Sequence, residues 1–234
     1  MSNITNSDQA QALTGTTVII DTGCANLSSV RYAFERLMSP EQRDSLSVTD
    51  DIAAIKAATR VILPGVGTAG AAMASLHNKQ LVDVITSLTQ PVLGVCLGMQ
   101  MLTQVSKERG ATTQDCQCLG LIPTEIEQLD SKGLPLPHMG WNQITPSSHP
   151  IFNGIANGAY VYFVHSYRAP ISDYTIATAK HGEQFSAAIA KGNFIGLQFH
   201  PEKSASVGAQ MLKNFMLMTE STFNSQSNQQ KVPS

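Results

Sequence analysis

Gly94-Val95-Cys96-Leu97-Gly98 follows the apolar run Pro91-Val92-Leu93 and precedes a helix-patterned run that begins at Met99. A cysteine between small residues at such a strand-to-helix junction is the thiol version of a nucleophile elbow. Glycines two residues to each side allow a sharp bend. The pattern predicts a Cys96 sulfur exposed at the end of a strand, where the helix amino terminus favours the thiolate. The alternative is a packed core cysteine, because free cysteine is among the most buried residue types. This segment alone does not decide between the two.

Outward from this turn, short apolar strands alternate with helical patterns through the first half of the chain. Residues 17–20 form a continuous apolar run, as in a strand buried on both faces. Further strands are predicted at 46–49, 60–63 and 91–95, and helices at 68–76 and 81–88. The segment after the first strand predicts a helix, capped by Asn26 or Ser28, whose apolar face comprises Leu27, Val30, Phe34, Leu37 and Met38. This alternation predicts an α/β fold with a mostly parallel central sheet and helices on both faces.

The second half has a different pattern, with strand-like segments separated by Gly, Pro and Asn turns. These segments are 125–127, 141–144, 159–167, 174–179 and 185–190, followed by a final strand at 194–199 and a helix at 206–219. We expect several of them to pair antiparallel at one edge of the sheet. The sequence therefore predicts one domain over residues 15–219. Residues 1–14 and 220–234 contain too few apolar side chains to offset their ordering entropy, so mobile tails are expected there.

Charge and cysteine content narrow the class of protein. The 234 residues carry a formal net charge of −2, so we expect neither nucleic acid nor a membrane as partner. No apolar run approaches the length of a membrane span, and the start lacks the pattern of a signal peptide. A cytoplasmic protein with reduced thiols is therefore expected. Cys116 and Cys118 form a C-x-C pair without a second ligand pair nearby, which gives a zinc site weak support.

A base for a thiol nucleophile is present in His200-Pro201-Glu202, which follows the last predicted strand. The carboxyl ends of parallel strands share one edge of a sheet, so His200 is expected near Cys96. Glu202 can accept the imidazole proton and so orient the base. Alone, this tripeptide is better explained as a turn with a solvated glutamate. Paired with a cysteine elbow, it favours catalysis by a thioester-forming hydrolase.

The oxyanion of such a reaction needs hydrogen-bond donors. One is the backbone N–H of Leu97, the residue after the nucleophile. A second is expected from the strand-end loop Pro64-Gly65-Val66-Gly67, whose glycines permit an N–H to turn inward. The simpler interpretation of this loop is a tight turn.

Two motifs of the chain resemble those of class I glutamine amidotransferases: residues 94–100 around the cysteine and residues 199–204 around the histidine. The resemblance implies a flavodoxin-like fold. More narrowly, it is similar to the glutaminase subunits of imidazole glycerol phosphate synthases, which act in histidine biosynthesis. The narrower resemblance depends on 20–21, 26–30, 63–67, 137–142 and 162–168, of which Pro137-His138-Met139-Gly140-Trp141-Asn142 is the most specific. It spans about residues 18–213.

The resemblance implies a role for each matching position. Cys96 is then the nucleophile, His200 the base and Glu202 the orienting carboxylate. The oxyanion donors would be Val66 or Gly67 together with Leu97, and the glutamine-binding residues would be Gly65, Gln100, His165, Ser166 and Tyr167. Asn26, Met139 and Trp141 would face a partner subunit. Two alternatives stay open: Trp141 as a buried core anchor, and His165 as a packing residue whose backbone, not its imidazole, binds substrate.

The same resemblance implies a function. The chain would hydrolyse L-glutamine and pass ammonia to a cyclase subunit in a heterodimer that makes imidazole glycerol phosphate and aminoimidazole carboxamide ribotide. No metal or organic cofactor is implied. Glutaminase activity is expected to be low without the cyclase, because the glycine loop must first turn an N–H inward.

Three residues depart from the family pattern near the partner-facing turn, Thr22, Cys24 and Ala25, which leaves the docking geometry open. Three other functions stay open as well: a glutaminase subunit of another pathway, a stand-alone cysteine hydrolase and a catalytically silent regulatory subunit.

Overall fold

The computed structural model describes residues 15–23, 26–109 and 114–227 of the chain, with the backbone alone for 224–227. The strands are β1 (Thr17–Ile20), β2 (Leu46–Thr49), β3 (Arg60–Gly65), β4 (Val92–Cys96), β5 (Val105–Ser106), β6 (Cys116–Gln117), β7 (Glu125–Gln128), β8 (His138–Pro146), β9 (Ala159–His165), β10 (Tyr167–Arg168), β11 (Thr175–His181), β12 (Glu183–Lys191) and β13 (Phe194–Leu197). The α-helices are α1 (Leu27–Glu35), α2 (Ile52–Ala57), α3 (Ala69–Asn78), α4 (Val82–Thr86), α5 (Leu97–Met101), α6 (Ala205–Met216) and α7 (Glu220–Ser227). Short 3₁₀ helices span Pro40–Ser45, Pro150–Phe152 and Pro201–Lys203.

A nine-stranded sheet in the order β2-β1-β3-β4-β13-β12-β11-β8-β9 forms the centre of the fold. The pairs from β2 to β13 are parallel, whereas those from β13 to β9 are antiparallel. A smaller sheet has the order β10-β7-β5-β6. The predicted α/β fold with a parallel centre and antiparallel edge strands is therefore confirmed. Its first strands follow the 2-1-3-4 order of flavodoxin-like sheets.

Both faces of the parallel strands are covered, as their continuous apolar runs predict. In β1, Ile19 contributes to one core cluster, which also contains Phe34 of α1 and Phe215 of α6. Its neighbour Ile20 points to the other cluster, which contains Leu76 of α3. The sheet therefore lies between two helical layers.

The register of the central strands determines which residues meet at the carboxyl edge of the sheet. Gly65, the last residue of β3, pairs with Cys96, the last residue of β4. On the other side of β4, Leu197 of β13 pairs with Val95. The glycine loop, the cysteine and the segment leading to His200 therefore leave the sheet side by side.

Several element boundaries differ from those expected. Helix α1 begins after Asn26, whose side chain accepts the Ser29 N–H, but it ends at Glu35. Met38 lies beyond that helix and is still buried in the same core. The short helix α2 is not predicted. The segment 159–167 is interrupted at Ser166, so that β9 belongs to the large sheet and β10 pairs with β7 in the small one.

The expected carboxyl-terminal tail begins with the helix α7, and the Thr89 hydroxyl donates to the Glu220 carboxylate over 2.6 Å. Residues 1–14 and 228–234 lie outside the described part of the chain. Within the described ranges, no helix is long and apolar enough to cross a membrane.

Candidate active site

Cys96 occupies a strained turn between β4 and α5. Its φ of 55° and ψ of −110° are sterically unfavourable for a residue with a side chain. The flanking glycines are required by close packing, because a Cβ on Gly98 would lie 1.8 Å from the Leu63 carbonyl oxygen. A Cβ on Gly94 would lie 2.6 Å from the Gly98 carbonyl oxygen. Cys96 is only partly buried and lines a cavity, so the geometry is that of an elbow and the core-cysteine alternative is wrong.

His200 and Glu202 form a buried pair beside this turn. The imidazole Nδ1 lies 2.7 Å from Glu202 Oε1. Backbone contacts hold the histidine, since its N–H donates to the Tyr162 carbonyl over 2.9 Å and its own carbonyl accepts the Ser204 hydroxyl. Burial lowers the pKa of His200, but interactions with Cys96 and Glu202 outweigh it and raise the pKa to about 10. The site therefore favours an imidazolium next to the sulfur.

A cavity of about 390 Å³ opens above Cys96 and His200, enough for an amino-acid-sized ligand. The structure brings nine of the predicted residues to its wall: Val66, Gly67, Cys96, Leu97, Gln100, His165, Ser166, Tyr167 and His200. Gly65 and Glu202 line a neighbouring cavity of about 30 Å³ behind the histidine, together with Asn26. Four further residues of the larger wall were not predicted as site residues: Glu108, Pro137, Val164 and Lys203.

The glycine loop packs against the elbow where an oxyanion donor is predicted. A Cβ on Gly65 would lie 2.9 Å from the Leu97 Cβ, so only glycine permits this approach. Gly67 has a φ of 92°, a conformation that favours glycine. Val66 between them is exposed. The loop therefore lies against the elbow and lines the same cavity as Cys96.

Gln100 is held with a defined amide orientation. Its Nε2 donates to the Tyr167 carbonyl over 3.3 Å and to Gln198 Oε1 over 3.1 Å. The amide nitrogen thus uses both of its protons inside the protein.

Both imidazole nitrogens of His165 have partners within the protein, so neither is free to bind a ligand in the cavity. Its Nδ1 lies 2.8 Å from the Tyr167 carbonyl and its Nε2 lies 2.9 Å from His138 Nδ1. Burial lowers the pKa of His165 to about 3 and that of His138 to about 4, so the pair is neutral at neutral pH. This arrangement favours the alternative in which the backbone of residues 165–167 faces a ligand.

Glu108 follows the short strand β5, and its carboxylate accepts the Ala69 N–H of α3 over 3.0 Å. Its position was not predictable from the sequence, because β5 belongs to the second sheet and carries no motif. Lys203 directly follows the His-Pro-Glu sequence, so its place in the sequence could have identified it as a site residue.

The predicted partner-facing residues lie on the surface. Met139 is 63% exposed and Trp141 is 52% exposed, both on β8 near the sheet edge. Trp141 packs edge-on against Tyr162 with ring centroids 6.0 Å apart. The alternative of Trp141 as a buried core anchor is therefore wrong. Asn26 is exposed and caps α1.

The structure describes only some of the residues that depart from the family pattern. Thr22 is buried, whereas Cys24 and Ala25 lie outside the described residues. Burial raises the pKa of Cys118 to about 12, so this thiol is protonated at neutral pH. In the described part of the chain, no group of three His, Cys, Asp or Glu side chains is arranged to hold a metal ion.

Comparisons with known proteins identify the family of the chain. The profile of the family "Glutamine amidotransferase class-I" matches residues 18–219. A protein from Shewanella loihica named imidazole glycerol phosphate synthase subunit HisH is 68% identical over an alignment of 212 residues, and the match covers 88% of this chain and 92% of that protein. Proteins of the same name from Colwellia psychrerythraea and Vibrio cholerae are 50% and 47% identical, covering 88% and 87% of this chain and 95% and 99% of their own lengths.

Two solved structures share the fold at low sequence identity. One is a protein from Thermoplasma acidophilum described as a putative GMP synthase subunit, with a TM-score of 0.63, 16% identity and coverage of 93% of this chain and 98% of its own. The other is a glutamine amidotransferase from Thermotoga maritima, with a TM-score of 0.54, 16% identity and coverage of 94% and 86%. The chain therefore belongs to the class-I glutamine amidotransferase family and, within it, to the HisH subunits of imidazole glycerol phosphate synthase.

Proposed function

We propose that this chain hydrolyses L-glutamine to glutamate and ammonia through a thioester on Cys96 and acts as the glutaminase subunit of an imidazole glycerol phosphate synthase. One observation carries the mechanism: the His200–Glu202 pair adjoins a cysteine held in a strained elbow, at the base of an amino-acid-sized cavity. A thiol nucleophile, a base and a group that orients the base are the parts that such a reaction needs.

The first half of the reaction forms the thioester. The Cys96 thiolate attacks the side-chain carboxamide carbon of glutamine, and His200 gives its proton to the departing nitrogen, so that ammonia leaves. In the second half, His200 takes a proton from water, whose oxygen attacks the thioester carbon. The Cys96 thiolate leaves the carbonyl carbon, glutamate is released, and the pair of thiolate and protonated His200 is restored. Glu202 keeps the imidazole oriented and favours its charged form in both halves.

The tetrahedral intermediates require donors for their oxyanion. The Leu97 N–H is one, because it follows the nucleophile at the start of α5. The second is an N–H of Val66 or Gly67 in the glycine loop. Removing one such donor in other enzymes slows catalysis by about 10²–10³-fold. Glutaminase activity is therefore expected to depend on the backbone conformation of this loop.

Polar groups on the cavity wall match the ends of a free amino acid. Glu108 is the carboxylate on that wall and suits the α-ammonium group of glutamine. The backbone of Ser166 and Tyr167, together with Gly65 and Gln100, contacts the rest of the substrate. His165 contributes by holding the Tyr167 carbonyl in place.

The partner is a cyclase subunit that consumes the ammonia and makes imidazole glycerol phosphate and aminoimidazole carboxamide ribotide. The exposed side chains of Met139 and Trp141 give β8 an apolar surface for that subunit. Asn26 lines the small cavity together with Gly65 and Val66 of the glycine loop, so a partner bound at Asn26 would adjoin the loop that carries a proposed oxyanion donor. We propose a cytoplasmic heterodimer on this basis.

The decisive experiment measures glutamine hydrolysis by the wild type and by Cys96→Ser, each with and without the cyclase. We expect turnover only by the wild type, and much more of it in the presence of the cyclase. High turnover by the isolated chain at saturating glutamine contradicts the proposed dependence on the partner. Absence of label at Cys96 after treatment with a glutamine-like alkylator leaves only a silent regulatory subunit.

A second measurement separates this pathway from others that use the same scaffold. Nitrogen-labelled glutamine is supplied with the cyclase and its ribotide substrate. Label in the imidazole product supports the proposed function. Label found only as free ammonia favours a stand-alone hydrolase or a subunit of another pathway.

A further inference from the structure

Gln198 is a fully buried amide at the junction between β13 and the catalytic histidine. Its side chain is 0% exposed, and its backbone N–H donates to the Ala187 carbonyl over 2.9 Å. A polar side chain of this size needs hydrogen-bond partners in a core, because an unpaired buried amide destabilises the fold. Its partners are both residues of the proposed active site.

The contacts form a directed chain that ends on the nucleophile. Gln198 Nε2 lies 4.0 Å from Cys96 Sγ, within range of a hydrogen bond to sulfur. Gln198 Oε1 accepts from Gln100 Nε2 over 3.1 Å, and the same nitrogen donates to the Tyr167 carbonyl over 3.3 Å. Two glutamine amides therefore connect a fixed backbone carbonyl to the reacting sulfur.

The direction of this chain follows from chemistry. The Tyr167 carbonyl only accepts, so the atom of Gln100 that faces it must be the amide nitrogen. That nitrogen then donates to Gln198 as well, so Gln198 must present its oxygen there. The Nε2 of Gln198 is thereby turned toward Cys96. Flipping either amide would place two acceptors or two donors face to face.

We propose that Gln198 is a further residue of the glutaminase site, which donates a hydrogen bond to the Cys96 thiolate and fixes the amide of Gln100. The proposal rests on the proposed function only for the identity of the reaction. The sulfur has a second contact, the Val164 carbonyl at 3.8 Å, which accepts from the neutral thiol. Gln198 supplies the opposite interaction, since an N–H donor stabilises the thiolate. The same arrangement leaves Gln100 Oε1 as the amide atom free to accept from a ligand.

The test compares two variants that should remove different hydrogen bonds of Gln198. Gln198→Met removes both hydrogen bonds at similar volume. Gln198→Glu keeps an oxygen that accepts from Gln100 but places a carboxylate near the sulfur. The readouts are the pH profile of Cys96 alkylation by iodoacetamide in the isolated chain, and kcat and KM for glutamine in the complex with the cyclase.

For Gln198→Met we expect the alkylation profile to move about one pH unit upward, which corresponds to a tenfold loss of thiolate. KM for glutamine rises as well, because Gln100 loses one of its two hydrogen-bond partners. For Gln198→Glu we expect slower alkylation than in Gln198→Met with a KM close to that of the wild type. A residue with a merely structural role would lower stability without this division between the two readouts.

Gln90→Met is the matched control. Gln90 is also buried, and its Nε2 donates to the Ile55 carbonyl over 3.0 Å, away from the cavity. We expect it to lower the unfolding temperature while the alkylation profile stays that of the wild type. A wild-type alkylation profile in folded Gln198→Met overturns the proposal, and so does an upward shift in Gln90→Met. If Gln198→Met does not fold, Gln198→Glu decides by the same profile. Loss of the proposed function would appear separately, as a wild-type complex that does not hydrolyse glutamine.

Discussion

Cys96 combines reactivity with backbone strain. Its φ of 55° carries the sulfur out of the plane of the sheet and into the cavity. Such a conformation costs about 1–3 kcal/mol for a residue with a side chain. The fold therefore gives up stability to expose the proposed nucleophile.

Replacing Cys96 by glycine separates strain from chemistry. We expect the free energy of unfolding of Cys96→Gly to exceed that of Cys96→Ala by about 1 kcal/mol. Glycine relieves the backbone strain at this position, and this gain is larger than the entropic cost of the more flexible unfolded chain. Both variants lack the nucleophile. Urea denaturation of the two proteins measures the difference, and an equal or lower stability of the glycine variant would show that the turn is not strained.

The charged form of His200 depends on its neighbours. Its folded pKa of about 10 lies above the ordinary value of 6.5, so the corresponding stability is fully present below pH 6.5 and is lost as the pH rises through 10. Glu202→Gln removes one of the two raising contacts. We expect the His200 titration observed by NMR to move to lower pH and glutaminase activity to fall about 10²-fold or more. An unchanged titration would mean that Glu202 does not influence the imidazole.

The contact between β3 and α5 depends on the absence of one side chain. A Cβ on Gly98 would lie 1.8 Å from the Leu63 carbonyl oxygen, and both positions are backbone that cannot rotate away. We expect Gly98→Ala to destabilise the protein by about 3 kcal/mol through overpacking and to displace Cys96 from His200. Thermal unfolding and Cys96 alkylation report the two effects.

Gly70 provides the control for the Gly98→Ala substitution. It lies inside α3, and a Cβ there would meet nothing within 4 Å. Gly70→Ala should therefore stabilise the protein by up to about 1 kcal/mol, as alanine is the better helix former. Equal destabilisation by both substitutions would refute the steric argument.

Stability of the protein as a whole should decline in acid because of its buried histidines. His138 has its pKa lowered to about 4, chiefly by burial, and it contacts His165 and stacks on His181 with centroids 4.2 Å apart. A lowered folded pKa gives stability that is present above pH 6.5 and is lost as the pH falls toward 4. The unfolded chain takes up protons in this window that the folded chain does not.

We expect His138 alone to account for about 2 kcal/mol of stability lost between pH 7 and pH 5. His138→Phe keeps the ring stack and removes the titrating group, so its unfolding free energy should vary less over this range. Urea denaturation of both proteins at the two pH values measures the effect. A pH dependence equal to that of the wild type contradicts it.

Assembly with a cyclase subunit is expected to depend on the exposed face of β8. Trp141→Ala should weaken binding of the cyclase by about tenfold or more, because exposed aromatic anchors dominate interfaces. Alkylation of Cys96 in the isolated chain should stay unchanged. Ile171 is also an exposed apolar side chain, 49% accessible, and lies in the turn before β11, so Ile171→Ala is the control. Titration calorimetry with the cyclase compares the variants, and equal affinities would place the interface elsewhere.

The elbow, the buried parallel strands and the position of the histidine were predictable from sequence, because each leaves a local pattern. Glycines at 94 and 98 mark a backbone approach, apolar runs mark buried parallel strands, and a strand end places His200 at the edge that Cys96 occupies. The boundaries were less predictable. The break at Ser166, which separates β9 from β10, depends on a pairing with the distant strand β7 and leaves no signal within the segment itself.

Local pattern, then, specified the parallel core and the two groups that meet at its carboxyl edge. Tertiary structure alone placed Gln198 against the sulfur, joined His138 to His165 and brought Glu108 to the cavity wall. These contacts join segments as many as 102 positions apart, and sheet register decides which side chain of each segment turns inward. Hydrophobic periodicity carries information about a residue's own strand or helix, whereas a hydrogen bond between distant amides exists only once the strands have been aligned.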